Sequence, residues 1–400
     1  MQVIYLDNNS TTVIDAGVAK AMFDCRSLGF VNPSSQHQHG QLARRRLEEL
    51  RTDVLGMLGA SNSGMQTDQL LFTSGGTESN NLALIGLAFD SDGSLPLRRR
   101  VLISAIEHPS LTGACQYLQR HGFETAKIPV NSNGVVEPKP LAEMLDDSVR
   151  LVSVMLVNNE TGVIQPVKQI AAMCREMGVT CHTDAVQGVG KMHVDFADLG
   201  VDALSFTAHK LHGPRSIGGL ILKHGVKPFP LFFGGFQQQS FRPGTEDVCL
   251  ATGLHHAIEK YRVTKRNGNK TGLNLSEQHA ANMLIGQLRD RLQSVICENC
   301  PHAVVIGEGA SRVPHTLNVS FRGVDRQEFL MAADMNALAI STGSACASGS
   351  SELSPVLLAM GLDQEIIEGA IRISLSALTS ESEIDLAAER IVMIANNLRR

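Results

Sequence analysis

The stretch VDALSFTAHKLHGP, residues 201–214, decides the fold. Its first half is an apolar run of strand length. Its second half turns polar at Thr207, carries His209, Lys210 and His212, and breaks at Gly213-Pro214. An apolar run that stops at a polar corner reads as a strand buried on both faces. The scheme recurs upstream. GVTCHTDAVQ (178–187) reaches Asp184 and Gln187, VRLVSVMLVNNETG (149–162) reaches Asn159, and RRRVLISAIEHPS (98–110) reaches His108. QLLFTSGGTESNNLALIGLA (69–88) is a short strand, a glycine turn and a helix, with Thr77 at the corner.

Amphipathic helices separate these strands. One is expected from Arg44 onward, with Leu47, Leu50, Val54, Leu55 and Leu58 near helical spacing. Another, VKQIAAMCREMG (167–178), is closed by Gly178. Alternating strands and helices imply an α/β fold with a mostly parallel sheet covered on both faces. In such sheets ligands bind beyond the C-terminal strand ends. Thr77, His108, Asn159, Asp184, Gln187 and Lys210 all fall at that edge.

Composition turns polar and basic in EKYRVTKRNGNKTGLNLSEQ (259–278). A boundary is expected around 260–272. A helix follows (276–296), then shorter strands around HTLNVSFRG (315–323) and AIRISLSAL (370–378), so a smaller α+β domain follows the large one. The division expected is 16–261 for the large domain, and 1–15 with 262–400 for the small one.

The 400 residues allow one large domain and a smaller one, and 43% hydrophobic content supports a substantial core. A net charge of -5, no Trp and only 3 Tyr argue against a nucleic-acid partner. No apolar run approaches the ~20 residues that span a bilayer. The first twenty residues carry Asp7 and Asp15 and lack the basic start of a signal peptide, so a cytoplasmic chain is expected. The 8 cysteines have no regular spacing, which suits free thiols in a reducing compartment.

A lysine enclosed at a strand end can lose its proton and form a Schiff base. Pyridoxal phosphate chemistry needs that lysine, a carboxylate facing the pyridine nitrogen, and a phosphate cup at a helix N-terminus. Lys210 and Asp184 each follow a strand. In TSGGTESNN, Gly75 and Gly76 let backbone approach a phosphate, and Thr77 is expected to cap the helix with its hydroxyl.

With these parts the chain resembles the NifS/IscS family of cysteine desulfurases, in the class V aminotransferase group of pyridoxal phosphate enzymes with aminotransferase fold type I. The resemblance runs nearly end to end. It is carried by YLDNNSTT, NPSSQHQHG, TSGGTESNN, EHPS, VNNETG, HTDAVQ, SFTAHKLHGP, RPGTED, STGSACASG and IRISL. It implies that Lys210 holds pyridoxal 5'-phosphate and moves the proton at the substrate α-carbon. Asp184 would pair with the pyridine nitrogen. His108 would stack on the ring and take part in proton transfer. Asn159 and Gln187 would hydrogen-bond the ring substituents, Gln187 at the phenolic oxygen. Gly76, Thr77, Thr207 and His209 would hold the phosphate, joined by Thr245 of a neighbouring subunit, which implies a homodimer. Arg372 would take the carboxylate of L-cysteine, helped by Asn32 and Asn159.

The resemblance also explains ISTGSACASGSS (340–351), a pliable loop carrying one thiol. Cys346 would attack the substrate sulfur, keep it as a persulfide and hand it to an iron–sulfur scaffold or another sulfur acceptor, alanine being released. A transient iron–sulfur cluster held by Cys346 is implied only by this resemblance. Two other readings stand beside it. One is a selenocysteine lyase or related lyase using the same cofactor. The other is a non-catalytic scaffold that binds an assembly protein.

The chain departs from the family pattern at Gln238, Gln239, Phe241, Arg215-Ser216 and Ser376-Ala377. Cys297 and Cys300, with His302, form half a zinc pattern and read as free thiols, because structural zinc takes four ligands. His37 and His39 belong to a motif expected near the substrate rather than to a metal site. Cys25, Cys115, Cys174, Cys181 and Cys249 read as packing residues.

Overall fold

The apolar runs become five-residue strands because each is buried on both faces. The computed structural model of the chain describes residues 3–263, 275–343 and 352–399, with side chains throughout except at 275–281. Its strands are β1 (Ile4–Tyr5), β2 (Gln69–Thr73), β3 (Arg100–Ser104), β4 (Glu124–Ile128), β5 (Val149–Ser153), β6 (Thr180–Asp184), β7 (Ala203–Thr207), β8 (Gly218–Leu222), β9 (Ala303–Val305), β10 (Thr316–Phe321), β11 (Leu338–Ala339) and β12 (Ala370–Ser374).

Seven of them form the central sheet in the order β2-β8-β7-β6-β5-β3-β4. β8 runs antiparallel to both neighbours, and the other pairs are parallel. Strand order reverses at β3: β4 lies on one side of it and β5 on the other. Such a switch point opens a crevice at the strand ends. Alternate residues feed two cores. Leu70, Leu102, Val152, Leu204 and Ile221 pack on one face with the helices Gln38–Met57, Val167–Glu176 and Val248–Tyr261. Leu71, Val101, Leu151, Ala203 and Leu220 pack on the other, against the helices Gly76–Ala88 and Pro109–Arg120. Two glycines of β8 are required by close approach. A Cβ on Gly219 would meet the Phe206 ring at 2.4 Å, and one on Gly218 would meet the Gly75 backbone at 2.8 Å. Phe206 itself is fully buried, so Phe206→Ala would cost about 3–5 kcal/mol.

The C-terminal part has its own core. β12-β10-β9 form an antiparallel sheet, and Leu317, Val319, Phe321, Ile371 and Ile373 pack with Leu292, Ile296, Ile384 and Ile391. The N-terminus joins both parts. β1 pairs with β11, and Ile4 and Leu6 enter the C-terminal core. Residues 11–15 then run beside the Lys210 segment. Thr12 N–H donates to His209 O, and Asp15 N–H donates to His212 O, both at 2.9 Å.

The first long helix starts six residues before Arg44, at Gln38, because His37 caps it: its Nδ1 accepts from Gly40 N–H at 3.2 Å. Histidine is not a usual N-cap, so the sequence signal was absent. Cys25, Cys115, Cys174, Cys181 and Cys300 are buried, Cys249 is partly buried and Cys297 is exposed. Among the described residues no helix is long and apolar enough to cross a membrane.

Candidate active site

β6 ends on Asp184, whose carboxylate is buried and doubly held. Its Oδ2 accepts from Asn80 Nδ2 at 2.7 Å, and its Oδ1 accepts from Val186 N–H at 2.9 Å. Asn80 also donates to Ser110 Oγ at 3.0 Å, and Ser110 Oγ lies 2.8 Å from His108 Nδ1. A chain of hydrogen bonds thus links the carboxylate after β6 to the imidazole after β3. Ser110 N–H donates to His108 Nδ1 at 3.1 Å, so that nitrogen carries a lone pair and Nε2 carries the proton. Burial lowers the His108 pKa. The Asp184 charge opposes this, and the Lys210 charge adds to it. The imidazole therefore stays neutral at neutral pH.

Lys210 closes the short helical turn Ala208–Lys210 after β7. Its Nζ donates to Asn9 O at 2.5 Å and to Ser10 O at 2.7 Å. Asn9 O also accepts from Gln187 Nε2 at 3.0 Å. Arg372, on β12, is 2% exposed. Its Nη2 donates to Ser10 Oγ at 2.8 Å and to Asp7 Oδ1 at 2.7 Å, and its Nη1 donates to Asn159 O at 3.1 Å. Asn9 and Ser10 therefore gather Lys210, Gln187 and Arg372 from three distant segments.

The glycine turn after β2 differs from expectation in one respect. The helix begins at Gly76 with Gly75 as its N-cap, and no side chain caps it. Thr77 is the second helical residue and is exposed, so its hydroxyl does not cap. Gly75 turns the chain with φ 152, a conformation open to glycine. Glu78 closes the turn instead, accepting from Ser74 N–H at 2.6 Å while Arg242 holds it at 2.7 Å. Gly76 and Gly75 lie against Thr207. A Cβ on either would approach its side chain at 3.8 and 3.9 Å, and one on Gly76 would meet Val186 Cγ2 at 2.9 Å. His209 is partly buried with its pKa lowered to about 4, first by burial and then by Lys210.

Asn32 and Thr245 are exposed. Asn32 Oδ1 accepts from Ser34 N–H, and Ser34 Oγ accepts from Gln237 Nε2 at 3.5 Å, which ties the two surface segments together. Gln238 has a structural role: its amide donates to Phe72 O at 2.9 Å and accepts from Phe72 N–H at 2.7 Å, extending the edge of β2. Ser376 and Ala377 line a cavity of about 570 Å³ beside Lys210, together with Asp15, Lys191, His212 and His315. Cys346 lies outside the described residues. At the described ends of its segment, Gly343 O accepts from Arg372 Nη1 at 3.2 Å and Ser354 Oγ donates to Glu160 Oε2 at 2.6 Å.

Sequence reasoning missed Asp7, Asn9, Ser10, Asn80, Ser110 and Lys191. YLDNNSTT and TSGGTESNN contain four of these, so the motif positions were visible but their partners were not. The arrangement presents a held carboxylate, a neutral imidazole, an amine, a guanidinium and a helix N-terminus suited to an anion.

The aminotransferase class-V family profile matches residues 4–386. The cysteine desulfurase NifS of Azotobacter vinelandii is 36% identical over 399 residues, covering 100% of this chain and 94% of that protein. A solved NifS-like protein superposes with a TM-score of 0.87 at 32% identity, covering 99% of this chain and 100% of that one. A structure described as SspA in complex with cysteine superposes with a TM-score of 0.78 at 28% identity, over 94% of this chain and 99% of that one.

Proposed function

The chain belongs to the aminotransferase class-V family, and from that membership we propose that it is a pyridoxal 5'-phosphate-dependent cysteine desulfurase. It converts L-cysteine to L-alanine and carries the sulfur as a persulfide on Cys346 to an acceptor protein, an iron–sulfur scaffold or a thiolation carrier. In this reading it is a cytoplasmic homodimer. Residues 16–261 bind the cofactor, and 1–15 with 262–400 form the small domain.

The residues present fit the cofactor. A buried carboxylate held by Asn80 Nδ2 and Val186 N–H stands at the strand end where a ring nitrogen would need a partner. The Gly75-Gly76 turn offers the first N–H groups of a 13-residue helix beside Thr207, a cradle that a Cβ on Gly76 would begin to fill. When bound, pyridoxal phosphate supplies an electron sink for the bonds at the substrate α-carbon.

The chain's own residues do the rest. Lys210 would hold the cofactor and move the proton at the substrate α-carbon. Asp184 would face the ring nitrogen, and His108 would cover the ring. Arg372 takes the substrate carboxylate with a guanidinium fork. The Cys346 thiolate attacks the substrate sulfur. The S–S bond forms as the Cβ–S bond breaks, and the electron pair stays with carbon, which gains a proton and leaves as alanine.

One observation carries this reading: Ser10 accepts from the Lys210 amine through its carbonyl and from the Arg372 guanidinium through its hydroxyl. The amine and the guanidinium thus meet on one residue, as groups that hold the two ends of an α-amino acid must stand near each other. The test is alanine release from L-cysteine by cofactor-loaded protein and by Lys210→Ala. Alanine from the parent and none from the variant is expected. Equal release from both would contradict the proposal.

A further inference from the structure

Lys191 lies in the turn after β6, four residues past Gln187, and is 9% exposed. Its Nζ donates to Gln187 Oε1, and to Asn9 Oδ1 at 3.3 Å. Asn9 Oδ1 also lies 3.0 Å from His315 Nε2. Burying a lysine is costly. Burial pushes its pKa well below the ordinary value, and the Lys210 and Arg372 charges push the same way. The groups facing it are thus Lys210 after β7, Arg372 on β12 and His315 before β10, with His209 and His212 within reach of its charge.

The two ends of the Gln187 amide are chemically distinct. Its Nε2 faces Asn9 O, the same carbonyl that receives Lys210 Nζ. Its Oε1 faces Lys191. The Asn9 carbonyl only accepts, so it takes the NH₂ end, while Lys191 Nζ donates to the oxygen end; both contacts are made in one orientation of the amide. Turning it over would set its oxygen against the Asn9 carbonyl, two acceptors facing each other.

We propose that Lys191 is a positioning residue: it fixes the Gln187 amide with its NH₂ group on Asn9 O, the carbonyl that also receives Lys210 Nζ. The inference rests on the cofactor reading above. There, the NH₂ serves an anionic oxygen of the group bound at Lys210. Lys191 touches neither that group nor the substrate and acts through Gln187.

The test is the pH midpoint of the visible absorbance band of protein loaded with pyridoxal phosphate. It compares wild type, Lys191→Met, Gln187→Ala and the double variant. A donor fixed on an anionic oxygen of the group bound at Lys210 disfavours a proton near the Lys210 nitrogen. Each single variant should therefore raise the midpoint by about one unit. The double variant should move no further, because both changes remove the same contact. Lys191→Gln, which keeps a donor for Gln187, should restore most of the wild-type midpoint. The melting temperature of the cofactor-free variants reports packing separately, and a packing role alone would leave the midpoint in place. A Lys191→Met midpoint equal to wild type overturns the inference, as does a double variant whose shift is the sum of the single shifts. Protein that forms no visible band with pyridoxal phosphate overturns the cofactor reading and this inference with it.

Discussion

Arg372 donates from Nη2 to Asp7 Oδ1 at 2.7 Å, joining the segment just after β1 to the middle of β12 across 365 residues. The guanidinium side chain is 2% exposed and the carboxylate 21%. A charge buried that deeply needs its partner.

Asp7→Asn should therefore destabilise the protein by about 2 kcal/mol, below the full cost of breaking a buried pair because Asp7 is partly solvated. Urea unfolding of both proteins at neutral pH measures it. A loss below about 0.5 kcal/mol would mean that Ser10, Asn159 and Gly343 satisfy the guanidinium without Asp7.

Glu107 lies behind Asp184, between β3 and the helix Pro109–Arg120. Its Oε1 accepts from Ser104 Oγ at 2.6 Å and from Met155 N–H at 2.7 Å. Burial raises its pKa to about 8. The Ser104 hydrogen bond opposes this, and the Asp184 charge adds to it. The folded state thus holds a proton that the unfolded chain releases. The stability this confers is complete below the ordinary carboxylate value and is lost as pH rises to about 8. Glu107→Gln lacks this titration. Its melting temperature relative to the parent should rise between about pH 5 and pH 8 and level off above. A difference that is flat with pH would contradict the assignment.

Gln238 completes the edge of β2 through two hydrogen bonds to Phe72. Gln238→Ala leaves both Phe72 backbone groups unpaired at a sheet edge, which should cost about 1–2 kcal/mol. Amide exchange at Phe72 should accelerate in the variant. Unchanged exchange there would show that water or a neighbour replaces the amide at no cost.

Much of this site was legible because its parts lie at the ends of apolar runs. Asp184 and Lys210 each stand where a strand stops, so periodicity alone located them. A mostly parallel sheet follows from the same five runs, while β4 and the antiparallel β8 of the seven-stranded sheet were not read from the sequence. What periodicity could not reveal is pairing across the chain. Asn9 and Ser10 meet Lys210 from 201 and 200 residues away. Nothing in YLDNNSTT announces that its backbone carbonyls receive a lysine. Nothing in the sequence sets Lys191 apart, and its burial distinguishes it. Thr77 was read as a cap because threonine favours that position, but the glycine turn places Gly75 there and moves Thr77 into the helix.

The most direct test of the account follows sulfur and carbon together. Cofactor-loaded protein is given L-cysteine without reductant, and alanine release is measured alongside persulfide on the Cys346 peptide, with Cys346→Ala in parallel. The account predicts alanine matched by persulfide in the first turnover, and both lost in Cys346→Ala. Alanine release undiminished in Cys346→Ala would contradict it.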